Sequence, residues 1–282
     1  MIIVTGATGQ LGRAIIEDLL ARRPASEIGV SVRDPRKAED LAQRGIRVRP
    51  GDFDDPMSLA RAFEGASQVL VISGPSDPRP HRAAVEAARA AGAGHIIYTS
   101  HMGANPASPF LAMQAHAETE QDLLASGVPF TALRNGFYAA NGIQLMGQAL
   151  QTGKLIVPAD GPVSWTGHAD LAQAAAIALT EEGRLSGITP PLTSLEALDF
   201  GDVAAIASEL TGREITRVIV PDDEWVAGLT SHGVPEQQAR FLLGVFQASR
   251  QGGFAAVSPV LADLLGRKPA TFRDLLADTL PG

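Results

Sequence analysis

The residues most able to do chemistry sit at the start of the chain. Thr5-Gly6-Ala7-Thr8-Gly9-Gln10-Leu11-Gly12 carries three glycines in a G-x-x-G-x-x-G spacing, between an aliphatic run and an amphipathic stretch. Where a strand turns into a helix, the first glycine permits a tight turn and the second lets backbone approach a ligand. The third lets the helix press on its sheet. The N–H groups from Thr8 to Leu11 then face outward at the positive end of the helix, a place for a diphosphate. The pattern predicts dinucleotide binding through Gly6, Thr8, Gly9, Gln10, Leu11 and Gly12. An ordinary glycine-rich turn is the bland alternative, disfavoured by the strand before the motif and the helix after it.

A second position follows the next aliphatic run, roughly 20 residues on, where a carboxylate would bind a ribose 2′-hydroxyl. Val32 runs instead into Arg33, with Arg36 and Lys37 close behind. A guanidinium there suits a 2′-phosphate in charge and in its fork of donors. Arg33 and Lys37 therefore predict NADP(H) rather than NAD(H), against a plain solvated turn that also holds Asp34 and Glu39.

These residues need a scaffold. Short, nearly continuous apolar runs at 2–4, 28–32, 46–48, 69–72, 95–99 and 129–133 read as parallel strands covered on both faces. Helical stretches at 10–22, 35–43, 56–63, 81–91 and 112–125 alternate with them and end near Pro24, Gly45, Gly65, Gly92 and Gly127. This is the rhythm of an α/β fold with a doubly wound parallel sheet. After Arg134 a turn and helix are expected over 135–153, a strand at 154–157 and a helix at 168–180. Beyond Gly183 the chain reads as mostly helical, with a strand at 215–220 and helices at 222–231, 235–249, 258–265 and 271–280. Residues 1–134 are thus expected to form a nucleotide-binding domain, with return segments near 154–180. Residues 135–282 should form a smaller helical lobe interleaved with it.

In an open parallel sheet, ligands lie at the C-terminal strand ends. Collecting those ends adds Asp52 and Phe53 for an adenine, and Ser73, Gly74 and Pro75 near a nicotinamide ribose. Thr99, Ser100 and Asn135 fall where nicotinamide and substrate would meet, and Phe137 and Tyr138 follow directly as substrate walls. Phe110, Met113, Met146, Trp165 and Phe246 are further apolar candidates, although such side chains more often serve as core. His116 and Glu120 stand four residues apart on one helix, so the carboxylate is expected to raise the imidazole's proton affinity. Two readings follow: a proton donor or substrate-orienting group beside the nicotinamide, or a structural pair at the junction of the two parts.

Composition narrows the remaining classes. The 282 residues are 45% hydrophobic and 19% charged, as in a packed globular protein, and the net charge of −8 disfavours nucleic acid and anionic membranes. With no cysteine there is no thiol nucleophile, disulfide or cysteine metal site, and no other metal-ligand spacing occurs. No apolar run approaches the ~20 residues of a membrane span. The N-terminus enters its first strand without a basic or long apolar leader, so a cytoplasmic location is expected.

Several of these stretches together resemble the atypical short-chain dehydrogenase/reductases. They are Thr5–Gly12, Val-Arg-Asp-Pro at 32–35, Gly51-Asp52-Phe53, Tyr98-Thr99-Ser100, His116-Ala117-Glu118-Thr119-Glu120 and Leu133-Arg134-Asn135-Gly136-Phe137-Tyr138. The chain is similar in particular to the NmrA-like branch, which includes bacterial NADPH-dependent quinone oxidoreductases and triphenylmethane dye reductases. The similarity runs over nearly the whole chain. It implies a Rossmann domain, bound NADP(H), and a C-terminal lobe closing over a quinone or other conjugated aromatic substrate.

One departure bears on mechanism. In the wider superfamily a Y-x-x-x-K pair supplies the acid, whereas here Ala112 and His116 stand in those places. Ketone–alcohol redox by the tyrosine route is therefore not expected. Hydride transfer to an already electrophilic quinone or dye is expected instead, with the cofactor carrying the chemistry. The missing pair also keeps a second class open, a non-catalytic NADP(H)-sensing regulator, while an epimerase is disfavoured for want of a base. A homodimer is left open.

Overall fold

A computed structural model describes residues 1–74 and 76–280; Pro75, one of the strand-end candidates, lies outside the described residues. The first half alternates as expected: β1 (Ile2–Thr5), α1 (Gln10–Leu20), β2 (Ile28–Val32), α2 (Glu39–Gln43), β3 (Arg47–Pro50), α3 (Pro56–Phe63), β4 (Gln68–Val71), α4 (Pro78–Ala90), β5 (His95–His101), α5 (Leu111–Ser126) and β6 (Phe130–Asn135). Local chemistry sets the boundaries. Asp55 and Asp77 accept hydrogen bonds from the first amides of α3 and α4, each followed by proline in the first turn. The stretch expected as one helix over 35–43 divides into a short 3-10 turn, Pro35–Ala38, and α2, because Asp34 caps the turn and Ala38 breaks the helical run.

The remainder comprises β7 (Phe137–Tyr138), α6 (Ala139–Leu145), α7 (Ala149–Thr152), β8 (Lys154–Val157), β9 (Trp165–Thr166), α8 (His168–Thr180), β10 (Gly187–Ile188), α9 (Phe200–Thr211), β11 (Thr216–Ile219), α10 (Asp222–Ser231), α11 (Glu236–Arg250), α12 (Val260–Leu265) and α13 (Phe272–Ala277). Among the described residues, seven strands form one sheet in the order β10-β6-β5-β4-β1-β2-β3, with every pairing parallel. The doubly wound α/β fold is therefore present. The two-residue β10, which extends the sheet beyond β6, has no apolar run to announce it.

Two cores cover the sheet. One joins β1 and β2 to α1 and to the alanine-rich α8, whose Ala172, Ala174, Ala175 and Ala176 let the two helices approach closely. The other packs Leu59 and Phe63 of α3, Ala84 and Ala88 of α4 and Leu123 of α5 against the opposite face. Of the return segments expected near 154–180, α8 does return to the sheet, whereas β8 pairs with β11 in a separate small sheet. Strand order reverses between β1 and β4, which opens a crevice at their C-terminal ends.

The third core lies in the C-terminal half, around Trp165. This indole is 1% exposed, donates its N–H to the Leu198 carbonyl at 3.1 Å and touches Phe137, Phe200 and Phe272. Met146 and Phe246 belong to the same core. The structure thus corrects the expectation that Trp165, Met146 and Phe246 wall a substrate: each side chain is consumed by packing. Trp165→Ala should cost about 3–5 kcal/mol of stability. Chemical denaturation would show the loss, and an unchanged midpoint would contradict the assignment to core.

Candidate active site

The crevice has two compartments that share Gly6, Gly9, Ile72, Ser73 and Gly74. The first, about 390 Å3, is walled by Thr8, Ser31, Arg33, Asp52 and Phe53 among others. Gly6 takes a φ of +62° at the turn. A Cβ at Gly12 would collide with the Gly6 carbonyl and stand 2.8 Å from the Ala7 Cα, so α1 begins hard against that turn. Helix α1 has no side-chain cap and no acidic residue in its first turn. Its leading amides and positive end are open to an anion, as a diphosphate requires. The Ser31 hydroxyl, buried in the same wall, has no partner among the described residues and suits a polar ligand atom. On these observations the cleft fits a dinucleotide.

Of the three cations after β2, Arg33 lines this cleft and is exposed. Arg36 is held bidentately by Asp34, at 2.9 and 3.0 Å, and faces its own turn. Lys37 stands exposed outside the lining, its carbonyl taking a hydrogen bond from Arg13 at 2.8 Å. The charge that meets the cleft is therefore narrower than the sequence implied.

Thr99 lies behind the shared wall. It is fully buried, receives the Ser73 N–H at 2.8 Å and donates to the Ser73 hydroxyl at 3.1 Å, so it shapes the loop after β4.

The second compartment, about 410 Å3, is lined by Gln10, Leu11, Gly12, Ser100, His101, Phe110, Met113, His116, Phe137, Tyr138, His168 and Phe241. Its aromatic wall is continuous: Phe110 lies 4.9 Å from Phe241 and 6.3 Å from Phe137, ring centre to ring centre, and Tyr138 lies 4.4 Å from His168. Phe137 and Tyr138 are where the sequence put them. Phe241, from α11, had no motif to mark it. His101 sits at the same strand end as Ser100, so the strand-end logic that selected Ser100 also reaches it.

Beneath this wall lies a buried charge. Glu120, 2% exposed, receives two hydrogen bonds from the Arg134 guanidinium, at 2.9 and 2.7 Å, and a third from the Ser100 hydroxyl at 2.7 Å. The expected His116–Glu120 pair is not formed. A buried carboxylate requires a permanent cation, which Arg134 on β6 supplies and an imidazole does not. The Ser100 proton is committed to this carboxylate. Asn135 is buried behind the compartment, and its Oδ1 has no partner among the described residues.

His116 belongs to a different network. Its Nδ1 lies 2.8 Å from the Tyr98 hydroxyl, which also lies 3.4 Å from Nδ1 of the buried His81. Burial holds His116 down to about 3 and His81 to about 4, and pushes the Tyr98 hydroxyl well up. His101 is likewise kept well below the ordinary imidazole range by burial, with the neighbouring His116 adding to it. The expectation of a histidine with raised proton affinity is reversed: these imidazoles are neutral at physiological pH.

With this geometry, the relationships are plain. Residues 6–182 match the NAD(P)H-binding family, and the chain belongs to it. Quinone oxidoreductase 2 of Escherichia coli is 37% identical over 97% of this chain and 96% of its own length. A crystal structure of the E. coli NADPH-dependent quinone oxidoreductase complexed with NADPH superposes with a TM-score of 0.93 at 35% identity, covering 99% of both chains. The Citrobacter sp. triphenylmethane reductase complexed with NADP(H) gives 0.92, also at 35% identity, over 99% of this chain and all (100%) of that one. The resemblance read from the motifs is thus confirmed, and with it the fold and an NAD(P)H site.

The neutral histidines tie stability to pH. Between the ordinary 6.5 and about 4, an unfolded chain protonates histidines that the folded chain keeps neutral. The unfolded state then binds more protons, so this contribution is fully present above pH 6.5 and is lost as pH falls. Thermal unfolding should show a midpoint that drops from pH 7 to pH 5, with a shallower drop in His81→Gln. An equal slope in both proteins would contradict the assignment.

Proposed function

We propose that the chain is an NADPH-dependent reductase that transfers hydride to a quinone or a similarly conjugated aromatic electrophile. The observation that carries this reading is the junction of the two compartments. A phosphate-suited cleft carrying Arg33 and an aromatic chamber meet at Gly6, Gly9, Ile72, Ser73 and Gly74. Residues 1–134 would hold the dinucleotide, and 135–282 would supply the cover. The relatives' activities, quinone and triphenylmethane reduction, support the same reaction class and do not favour a non-catalytic regulator.

The roles follow from position. Gly6, Thr8, Gly9, Gln10, Leu11 and Gly12 would bind the diphosphate through backbone N–H groups. Arg33 would meet the 2′-phosphate, Asp52 and Phe53 the adenine, and Ser73 and Gly74 the nicotinamide ribose, with Thr99 holding their loop. The bound nicotinamide supplies the hydride. Phe137 and Tyr138, with Phe110 and Phe241, would stack a planar acceptor against it and exclude water, which is most of what an electrophilic acceptor needs. Ser100 would act through Glu120 and Arg134 as a positioning residue, with Asn135 beside it at the end of β6. Among the described residues no helix is long and apolar enough to cross a membrane. A cytoplasmic site of action goes with reliance on a reduced dinucleotide pool.

Purified protein with NADPH and a panel of quinones and dyes should show acceptor-dependent loss of nicotinamide absorbance. No loss with any acceptor would defeat the reading. Arg33→Asp should weaken NADPH by about 1.5–3 kcal/mol while affecting NADH little, since it removes one charge-assisted contact. Titration of each nucleotide by fluorescence would measure this, and equal weakening of both would show that Arg33 does not bind the 2′-phosphate.

A further inference from the structure

We propose that His101 and His116 form a pair of neutral N–H donors, each locked in its Nε2–H form from behind. Together they bind a lone-pair oxygen of the hydride acceptor and so favour carbonyl acceptors over cationic dyes. This rests on the reductase reading above.

The argument begins with backbone amides, which donate and never accept. The Gly103 N–H donates to His101 Nδ1 at 3.0 Å. That nitrogen carries no proton, so in the neutral ring the proton is on Nε2. The lock on His116 is longer. The Gly74 N–H donates to His81 Nε2 at 3.0 Å, which puts the His81 proton on Nδ1. That N–H meets the Thr119 hydroxyl at 3.1 Å, whose own proton goes to the Ala115 carbonyl at 2.8 Å. His81 thus offers Tyr98 no acceptor. Among the described residues, the ring nitrogen left to take the Tyr98 proton is His116 Nδ1, at 2.8 Å. His116 therefore carries its proton on Nε2.

Both rings line the second compartment, with centres 5.9 Å apart and planes inclined by 30°. Neither Nε2 has a hydrogen-bond partner among the described residues. Two neutral donors that line the same chamber favour a ligand that brings an acceptor atom, because a polar group left unpaired on binding costs free energy.

The chemistry balances without a histidine acid. A quinone plus one hydride plus one proton gives a hydroquinone. Both electrons arrive with the hydride from reduced nicotinamide, which is oxidised. The negative charge that develops on the quinone oxygen falls where fixed N–H donors are most effective. Neither imidazole has a spare proton, and the relay behind His116 ends at the Gly74 amide, so the final proton comes from water. A triarylmethane cation takes hydride at carbon, needs no proton and presents no carbonyl oxygen, so the two donors do nothing for it.

The test compares kcat/KM for 2-methyl-1,4-naphthoquinone with kcat/KM for malachite green. His101→Phe and His116→Phe should each lower the quinone-to-dye ratio roughly tenfold. His101→Gln, whose amide places an N–H near the lost one, should restore most of it. A ratio unchanged in both phenylalanine variants would overturn the proposal. Independently of folding in any variant, 15N NMR of the histidine rings in the wild type with NADP+ should show Nε2 protonated and Nδ1 bare at both positions. A proton on either Nδ1 would overturn it too. Wild-type protein that reduces neither acceptor would defeat the reductase reading itself, whereas turnover of both with an insensitive ratio would defeat this assignment alone.

Discussion

Helix α1 can start where it does because Gly12 has no side chain. A Cβ there would run into the Gly6 carbonyl and the Ala7 backbone, and the helix would have to lift away from the turn. Most of the site depends on that contact. With α1 pressed down, its uncapped amides face the crevice between β1 and β4, and its far side is close enough for the alanines of α8 to pack against it. The segment after β7 is thereby tied back to the sheet, so the aromatic chamber is anchored to the same helix whose uncapped amides face the cleft. One missing methyl group serves both compartments.

Below the chamber, charge is handled by segregation. Glu120 is satisfied completely by Arg134 and Ser100, drawn from the two adjacent strands β5 and β6. The nearby imidazoles, His116 one helical turn from Glu120 and His81 and His101 on α4 and β5, are left in surroundings that do not stabilise a cation. Burial then decides their state: His81, His101 and His116 stay neutral, held in fixed hydrogen bonds. Among the described residues, the cation that the turn after β2 brings to the cleft is Arg33, since Asp34 occupies Arg36 and Lys37 stands outside the lining.

Much of this was legible from residue order. Continuous aliphatic runs broken by glycine-terminated helices allow no other economical arrangement than a parallel sheet wrapped on both sides, and helices such as α3, with Asp55 and Pro56 at its start, announce their own ends. The glycine motif and the place of Arg33 on the cleft were equally readable, because backbone geometry and a strand end set their positions locally. Weaker elements escaped notice. The strands β7, β9 and β10 are two residues long and exist through their neighbours. Trp165 was misread as a wall because an aromatic side chain has the same identity in a core as in a pocket.

The sequence by itself determined the fold class and the nucleotide motif, since each rests on contacts within a few residues or on strand order. Only the tertiary structure decided which partner each buried polar side chain takes. His116 and Glu120 share a helix face at i and i+4, yet Arg134, 14 residues further along from Glu120, claims the carboxylate, and Tyr98 claims the imidazole. The reason is physical: in a low-dielectric interior a charge goes to the nearest permanent counter-charge and a neutral donor to the nearest bare lone pair. Those neighbours are set by the packing of strands and helices and not by their spacing along the chain.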